Sequence, residues 1–302
     1  MRRYLPSYAM AALLLAWAFS NIAWAQKRGG TLKLYSLDSP PSVSILDGPN
    51  PTGQRTIAPV FNNLVMFDQH VKQSSLNSIV PDLATGWTWN EEGTAVTFPL
   101  RQGVRWHDGK PFTAKDVQCT WDLLLEKSSG KLRGNPLKFW YSNLEEVSTN
   151  VEYEVTFHLK RSPPSFLMFL ADGFAVIYRC HMTASLMRQH PIGTGPFKFV
   201  EFKPNEHIKL TRNPDYWKPG LPYLDGVEST IIKNMSTATL AFVSGKLDMT
   251  FPYSLRSKPR GSISAFRMAG NGVRREKAAL SSGCKAHPAI RSCRKQSEQS
   301  WR

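Results

Sequence analysis

Leu32 and Leu34 alternate with Thr31 and Lys33, which predicts a short strand by its period of two. The chain then enters Ser36-Leu37-Asp38-Ser39-Pro40-Pro41, a turn-rich loop. Val96, Phe98 and Leu100 alternate again, and Pro99 among them points to an edge strand, because proline has no N–H for a second neighbour. Asp108-Gly109 reads as a tight turn. Thr113 stands three residues before Asp116, the pattern of a helix N-cap with an acid in the first turn. Val117, Trp121 and Leu124 then form one apolar stripe, so a helix is expected there.

From Val151 to Lys160 the alternation is unbroken. Val151, Tyr153, Val155, Phe157 and Leu159 share one face, and Glu152, Glu154, Thr156, His158 and Lys160 the other, which predicts one half-buried antiparallel strand. Phe197 and Phe199 lead into a turn at Lys203-Pro204-Asn205-Glu206, and Ile208 and Leu210 lead out, as in a hairpin. The apolar run before Gly245 predicts a short helix stopped by that glycine, followed by a strand from Leu247 to Phe251. Strands and helices mixed without a long repeat indicate an α/β or α+β protein.

Charge divides the 302-residue chain unevenly. The net charge is +15, yet Gln26–Tyr253 holds 24 Lys/Arg against 21 Asp/Glu, while Ser254–Arg302 holds 12 against 2. The last aspartate is Asp248, and the final segment has only Phe266 and Trp301 as aromatics. A segment that loses carboxylates and aromatics together has little to build a core from, so residues 254–302 are expected to be a disordered basic tail. Nucleic acid is not the expected partner, because the tail lacks the stacking aromatics and the helical basic stripe of recognition modules.

The N-terminus has the anatomy of a cleavable export signal. Arg2 and Arg3 precede an apolar run from Ala9 to Phe19, too short to span a bilayer, and Ala23-Trp24-Ala25 fits the small-x-small cleavage rule. Residues 1–25 are therefore expected to be removed and the mature chain to be exported to the periplasm. In that compartment Cys119 and Cys180, the only cysteines between residues 26 and 253, are free to pair, and their sequence positions leave the question open.

Three blocks carry a resemblance to a known family. Pro81–Val117 contains Leu-Ala-x-x-Trp, an acidic-Gly turn, Phe-x-Leu-Arg and Asp-Gly-x-Pro-Phe-Thr-Ala-x-Asp-Val. Ile192–Glu228 contains Gly-Thr-Gly-Pro-Phe and Arg-Asn-Pro-x-Tyr-Trp, and Ser244–Phe251 supplies a third signature. Over residues 29–253 the chain resembles the solute-binding proteins of ABC transporters, in the peptide/nickel-binding family, family 5.

That resemblance implies an α/β periplasmic binding protein-like clamshell of type II. Residues 26–55 and 190–253 would form a discontinuous first lobe, with an accessory domain inserted at 56–189. The second lobe would be mostly missing, because the family pattern stops at Tyr253 and residues 254–302 read as a replacement, such as a frame-shifted translation. The resemblance further implies a monomer that delivers a small-molecule or peptide ligand to inner-membrane ABC permease subunits. Peptide leads; nickel chelates, opines and oligosaccharides fall within the family's breadth. The ligand cleft would be lined by Ser36, Leu37 and Asp38 after the first strand, and by Phe251, Pro252 and Tyr253. Peptide-binding relatives anchor the ligand's amino terminus on an acid of the second lobe that has no counterpart here, so impaired binding is expected. The alternative is a secreted protein whose basic tail engages anionic partners.

No enzyme signature, cofactor or metal site is expected. Gly193–Phe197 lacks phosphate-loop spacing and leads into a strand. No Gly-x-Ser-x-Gly, His-Glu-x-x-His or paired-cysteine motif occurs. Asp82 and Asp108 read as turn formers, His158 and His207 as solvated strand residues, and His181 and His190 as flanking a short helical stretch.

Overall fold

In the computed structural model, residues 28–48 and 51–249 are described. The expected signal at 1–25, the basic tail at 254–302, and Phe251, Pro252 and Tyr253 lie outside them. The first sheet takes its strands from two distant parts of the chain. The alternating residues at the start form β1 (Thr31–Ser36). β1 runs parallel to a much later strand, with Leu34 opposite Ser229 and Ser36 opposite Ile231.

The second sheet belongs to the middle of the chain. α1 (Pro51–Ile57) is followed by β2 (Val65–Phe67) and β3 (Ile79–Pro81), which pair with each other. β4 (Thr88–Trp89) and β5 (Ala95–Pro99) then open an antiparallel sheet of order β4-β5-β7-β6 with β6 (Leu144–Val151) and β7 (Glu154–Leu159). Against it packs α2 (Ala114–Leu124), whose Asp116 carboxylate accepts the Thr113 N–H at 3.0 Å, as the N-cap spacing predicted. The predicted stripe is the buried one: Val117, Trp121 and Leu124 are all shielded from solvent. Trp121 meets Tyr141 and Phe157 edge-on, at 5.8 and 4.8 Å between centroids.

α3 (Phe166–Ala171) and α4 (Ala184–Met187) return the chain to the first sheet. There β8 (Phe197–Lys203) and β9 (His207–Arg212) form the predicted hairpin, with Asn205 at a φ of 63° in its turn. β10 (Gly226–Ile231) completes the order β1-β10-β9-β8, and α5 (Met235–Val243) follows. One buried apolar cluster runs through both four-stranded sheets, from Leu34 and Val227 to Phe98 and Phe157, and takes in Val65 and Ile79 of the β2-β3 pair. No helix among the described residues is long and apolar enough to cross a membrane.

Three expectations need correction. β5 is interior to its sheet, not an edge. Leu100 donates its N–H to Tyr153 across β7, so the nitrogen of Pro99 faces the other side, where β4 pairs only with Val96 and Thr97. The strand expected over 151–160 is really the end of β6 and the whole of β7, because the chain reverses at Glu152-Tyr153 and leaves Val151 exposed. Leu247–Met249 is not regular strand, although Asp248 lies against β1. The Asp248 N–H donates to the Lys33 carbonyl at 2.9 Å, and its carboxylate accepts the Lys33 N–H at 2.7 Å. A side chain thus replaces the backbone acceptor a strand would have offered.

Candidate functional site

The carboxyl end of β1 brings Ser36, Leu37 and Asp38 to one edge of the first sheet. Ser36 is buried, and its hydroxyl lies 3.0 Å from that of Ser229 on β10. Leu37 is half-buried and packs in a small apolar cluster with Tyr35, Ile232, Ala238, Ala241 and Leu247. Asp38 alone presents an exposed side chain, whose Oδ1 accepts the Ser39 N–H at 2.8 Å. Ser39 in turn accepts the Asn205 N–H from the β8–β9 turn at 3.1 Å. This edge presents one carboxylate and the backbone of a loop, with Leu37 packed beneath. Extended peptides are held mainly by such backbone groups at strand ends and edges.

Beyond Asp38 the loop continues to Gly48 over a hollow of about 220 Å3, open space included, that it shares with α1. Ser42, Ser44 and Gln54 give its lining polar atoms. Residues 43–47 have no regular structure, yet they are buried or half-buried. Their polar groups are satisfied by Tyr178 and Arg188, far away in sequence, and Arg133 also binds Asp47. Nothing in the local pattern of the loop announced these partners. Burial pushes the Tyr178 hydroxyl up to about 12, so it stays protonated.

Two further constellations fix the first sheet on the rest. The Gly193-Thr194-Gly195 turn crosses the backbone of Pro59–Phe61. A Cβ added at Gly195 would come within 2.6 Å of the Val60 carbonyl carbon, which is why glycine stands there. His107 clasps the same turn. Its Nδ1 accepts the Gly193 N–H at 3.3 Å, and its Nε2 lies 3.0 Å from the Gly195 carbonyl, which requires a proton on Nε2. Burial holds His107 down at about 4, against the carbonyl bond that favours the charged ring; nearby Lys198 adds to the depression. The imidazole is therefore neutral at physiological pH.

The carboxylate of Asp82 is a buried acceptor, which corrects its reading as a turn former. It receives Asn62 Nδ2 at 3.0 Å, the Asn63 N–H at 3.2 Å and the Lys218 ammonium at 2.6 Å. Thr194 and Trp217 both donate to Asn62 Oδ1, at 3.1 and 3.3 Å, so the first two signature blocks meet in one polar network. Asp108 does sit in the expected turn, where its Oδ1 accepts the Lys110 N–H at 3.3 Å, and it also forms an ion pair with buried Arg179. His158 and His207 are half-buried and partnered, by Ser148 and Glu201, where solvation had been expected. These networks shape the scaffold.

Residues 78–267 match the family described as bacterial extracellular solute-binding proteins, family 5 Middle. The match runs past Tyr253, where the family pattern had been expected to stop. Di/tripeptide-binding protein 1 of Pseudomonas aeruginosa is 29% identical over 212 residues, 63% of this chain and 38% of that protein. The periplasmic binding protein DppA of Helicobacter pylori, solved in complex with the peptide STSA, superposes with a TM-score of 0.65 at 26% identity, covering 77% of this chain and 50% of its own. The oligopeptide-binding protein AppA of Bacillus subtilis, solved with a nonapeptide, gives 0.64 at 29% identity, covering 74% and 44%. The chain spans about two fifths of the length of the curated relatives it matches.

Proposed function

The chain belongs to the bacterial extracellular solute-binding proteins of family 5, and from that premise we propose that it is the ligand-facing part of a periplasmic peptide-binding component of an ABC importer. One observation carries the ligand class: the first sheet and its neighbours share their fold with two structures that hold peptides. The wall offered to the ligand is the carboxyl end of β1 at Ser36, Leu37 and Asp38; Phe251, Pro252 and Tyr253, expected to line it too, lie outside the described residues. Backbone at a strand end binds an extended peptide with little dependence on its side chains, and Asp38 supplies a charge for an amino group. The product is a delivered ligand rather than a chemical change, with inner-membrane permease subunits as the receiving partner.

A clamshell ligand is bound from two sides, and closure commits it. Among the described residues, the end of β1 supplies one side. Losing several hydrogen bonds of about 0.5–1.5 kcal/mol each weakens binding by powers of ten, since about 1.4 kcal/mol is tenfold. Calorimetric titration with di-, tri- and tetrapeptides tests this on two proteins. One is the 302-residue chain. The other is a chimera in which residues 26–253 continue into the remaining chain of a peptide-binding relative. The chimera is expected to bind at micromolar concentration or tighter, and the chain at least about a hundredfold more weakly. A folded chimera that ignores every peptide overturns the ligand class. Micromolar binding by the chain itself overturns the need for a second wall. Salt-sensitive retention of the chain on DNA without any peptide response favours the basic-tail alternative.

A further inference from the structure

The loop after β1 is shaped by residues from the middle of the chain, and one of them is fastened by a disulfide. Three groups converge on the buried Tyr178 hydroxyl: the N–H of Ile45 at 2.9 Å, the N–H of Leu46 at 3.2 Å and the hydroxyl of Ser44 at 2.9 Å. The Tyr178 ring is stacked on Phe61 at 5.4 Å. On either side of these contacts, the Arg188 carbonyl accepts the Val43 N–H at 3.3 Å, and Asp47 receives the Arg188 guanidinium at 3.3 Å and the Arg133 N–H at 2.8 Å.

Tyr178 is itself strapped to α2 by consecutive contacts. Its N–H donates to Thr120 Oγ1 at 2.9 Å. Cys119, next to Thr120, forms a disulfide with Cys180, two residues past Tyr178, with 5.3 Å between the Cα atoms. The Cys180 N–H donates to Asp116 Oδ1 at 2.9 Å. Both cysteines are half-buried, so a small reductant has access. The fastening reaches the loop without a gap: disulfide, Thr120, Tyr178, Ile45 and Leu46.

We propose that Tyr178 is a positioning residue for the loop at 43–47 and that the Cys119–Cys180 disulfide is its lock, so that reduction loosens the loop beside the proposed ligand wall. The functional sense of this rests on the peptide-binding reading; the lock itself does not. A dithiol reductant supplies two electrons and two protons. The sulfur–sulfur bond breaks, two thiols form, and the reductant leaves as its cyclic disulfide. The strap at 178–180 then loses its covalent tie to α2 and is held there by hydrogen bonds alone. The amides of Ile45 and Leu46 depend on the Tyr178 oxygen, and amides in locally opening segments exchange faster than those of the core.

Amide hydrogen exchange by NMR tests this on the full chain. Four samples are compared: oxidised, reduced with dithiothreitol, Tyr178→Phe, and the Cys119→Ala/Cys180→Ala pair. In the last three, Ile45 and Leu46 are expected to exchange at least about tenfold faster, with Val155 and Phe157 of β7 unchanged. Adding Tyr178→Phe to the cysteine pair is expected to give no further acceleration, because both act through one oxygen. Should the cysteine pair fail to fold, the reduced chain and Tyr178→Phe still decide. Equal acceleration at β7 overturns the proposal as a general loss of stability. Acceleration by Tyr178→Phe but not by reduction overturns the lock, and full additivity overturns the relay. Peptide added to the oxidised chain at millimolar concentration, where the weakened binding still registers, separates the two readings: an unresponsive chain with the predicted exchange pattern keeps the lock and loses the ligand wall.

Discussion

The Lys218 ammonium lies 2.6 Å from the Asp82 carboxylate, across 136 positions of sequence. The carboxylate is almost wholly buried and the ammonium about one-third exposed, with 4% and 29% of their side chains accessible. The pair joins the block around Asp82 to the one containing Tyr216-Trp217-Lys218, and Trp217 is flanked by the cations of Lys218 and Arg101 at 4.8 and 5.0 Å.

Removing Lys218 leaves that carboxylate buried with only neutral donors. Lys218→Met is expected to lower unfolding stability by about 2–3 kcal/mol. Asp82→Asn removes the charge and keeps a partner for some of the donors, so it is expected to cost less. In Asp82→Asn, adding Lys218→Met is expected to cost under about 1 kcal/mol, because the uncompensated charge is gone. Urea unfolding of the two single variants and the double variant measures the coupling; strict additivity would show that the pair contributes nothing as a pair.

His107 predicts a pH dependence. Its folded value, about 4, lies below its ordinary value of 6.5, so the unfolded chain binds the proton more readily. Its contribution is fully present above about pH 6.5 and is lost as pH falls through about 4. The loss is about 3 kcal/mol, set chiefly by the burial of the ring, which disfavours its charged form. Urea midpoints between pH 4 and 7 are expected to fall more steeply for the natural chain than for His107→Gln. Parallel curves would place the titration elsewhere.

Gly195 and Gly86 make a matched comparison. A methyl at Gly195 meets backbone at 2.6 Å from Val60 and 2.7 Å from Phe61, and backbone cannot give way as a side-chain tip can. A methyl at Gly86 meets nothing within 4 Å. Gly195→Ala is expected to cost about 3 kcal/mol or more by overpacking, and Gly86→Ala to be neutral or stabilising by up to about 1 kcal/mol. Thermal unfolding of both variants decides. Equal behaviour would mean the turn moves aside freely.

What the sequence disclosed depended on whether its signals were local. Thr113 and Asp116 announced α2 because a cap works within one turn. The β8–β9 hairpin was legible because Pro204 and Asn205 mark its turn. The reversal at Glu152-Tyr153 has neither glycine nor proline, so Val151, the end of β6, read as one strand with β7. Burial of Asp82 was hidden because its partners include Asn62 and Lys218, supplied by the fold. At the candidate site, the position of Ser36–Asp38 after β1 was readable. Ser229 behind Ser36, and Tyr178 behind Ile45, were not, since neither shares a local pattern with its partner. The tail's composition was plain, whereas the family match to residue 267 rests on more than composition.

The claim that the carboxyl end of β1 is a peptide wall is tested most directly by titrating the isotopically labelled 302-residue chain with a tetrapeptide, up to millimolar concentration, while following its backbone amides by NMR. The account predicts saturable shifts at Ser36, Leu37 and Asp38, spreading to Ile45 and Leu46, with β6 and β7 still. Amides at 36–38 that stay fixed at saturating peptide, or shifts confined to residues 254–302, would contradict it.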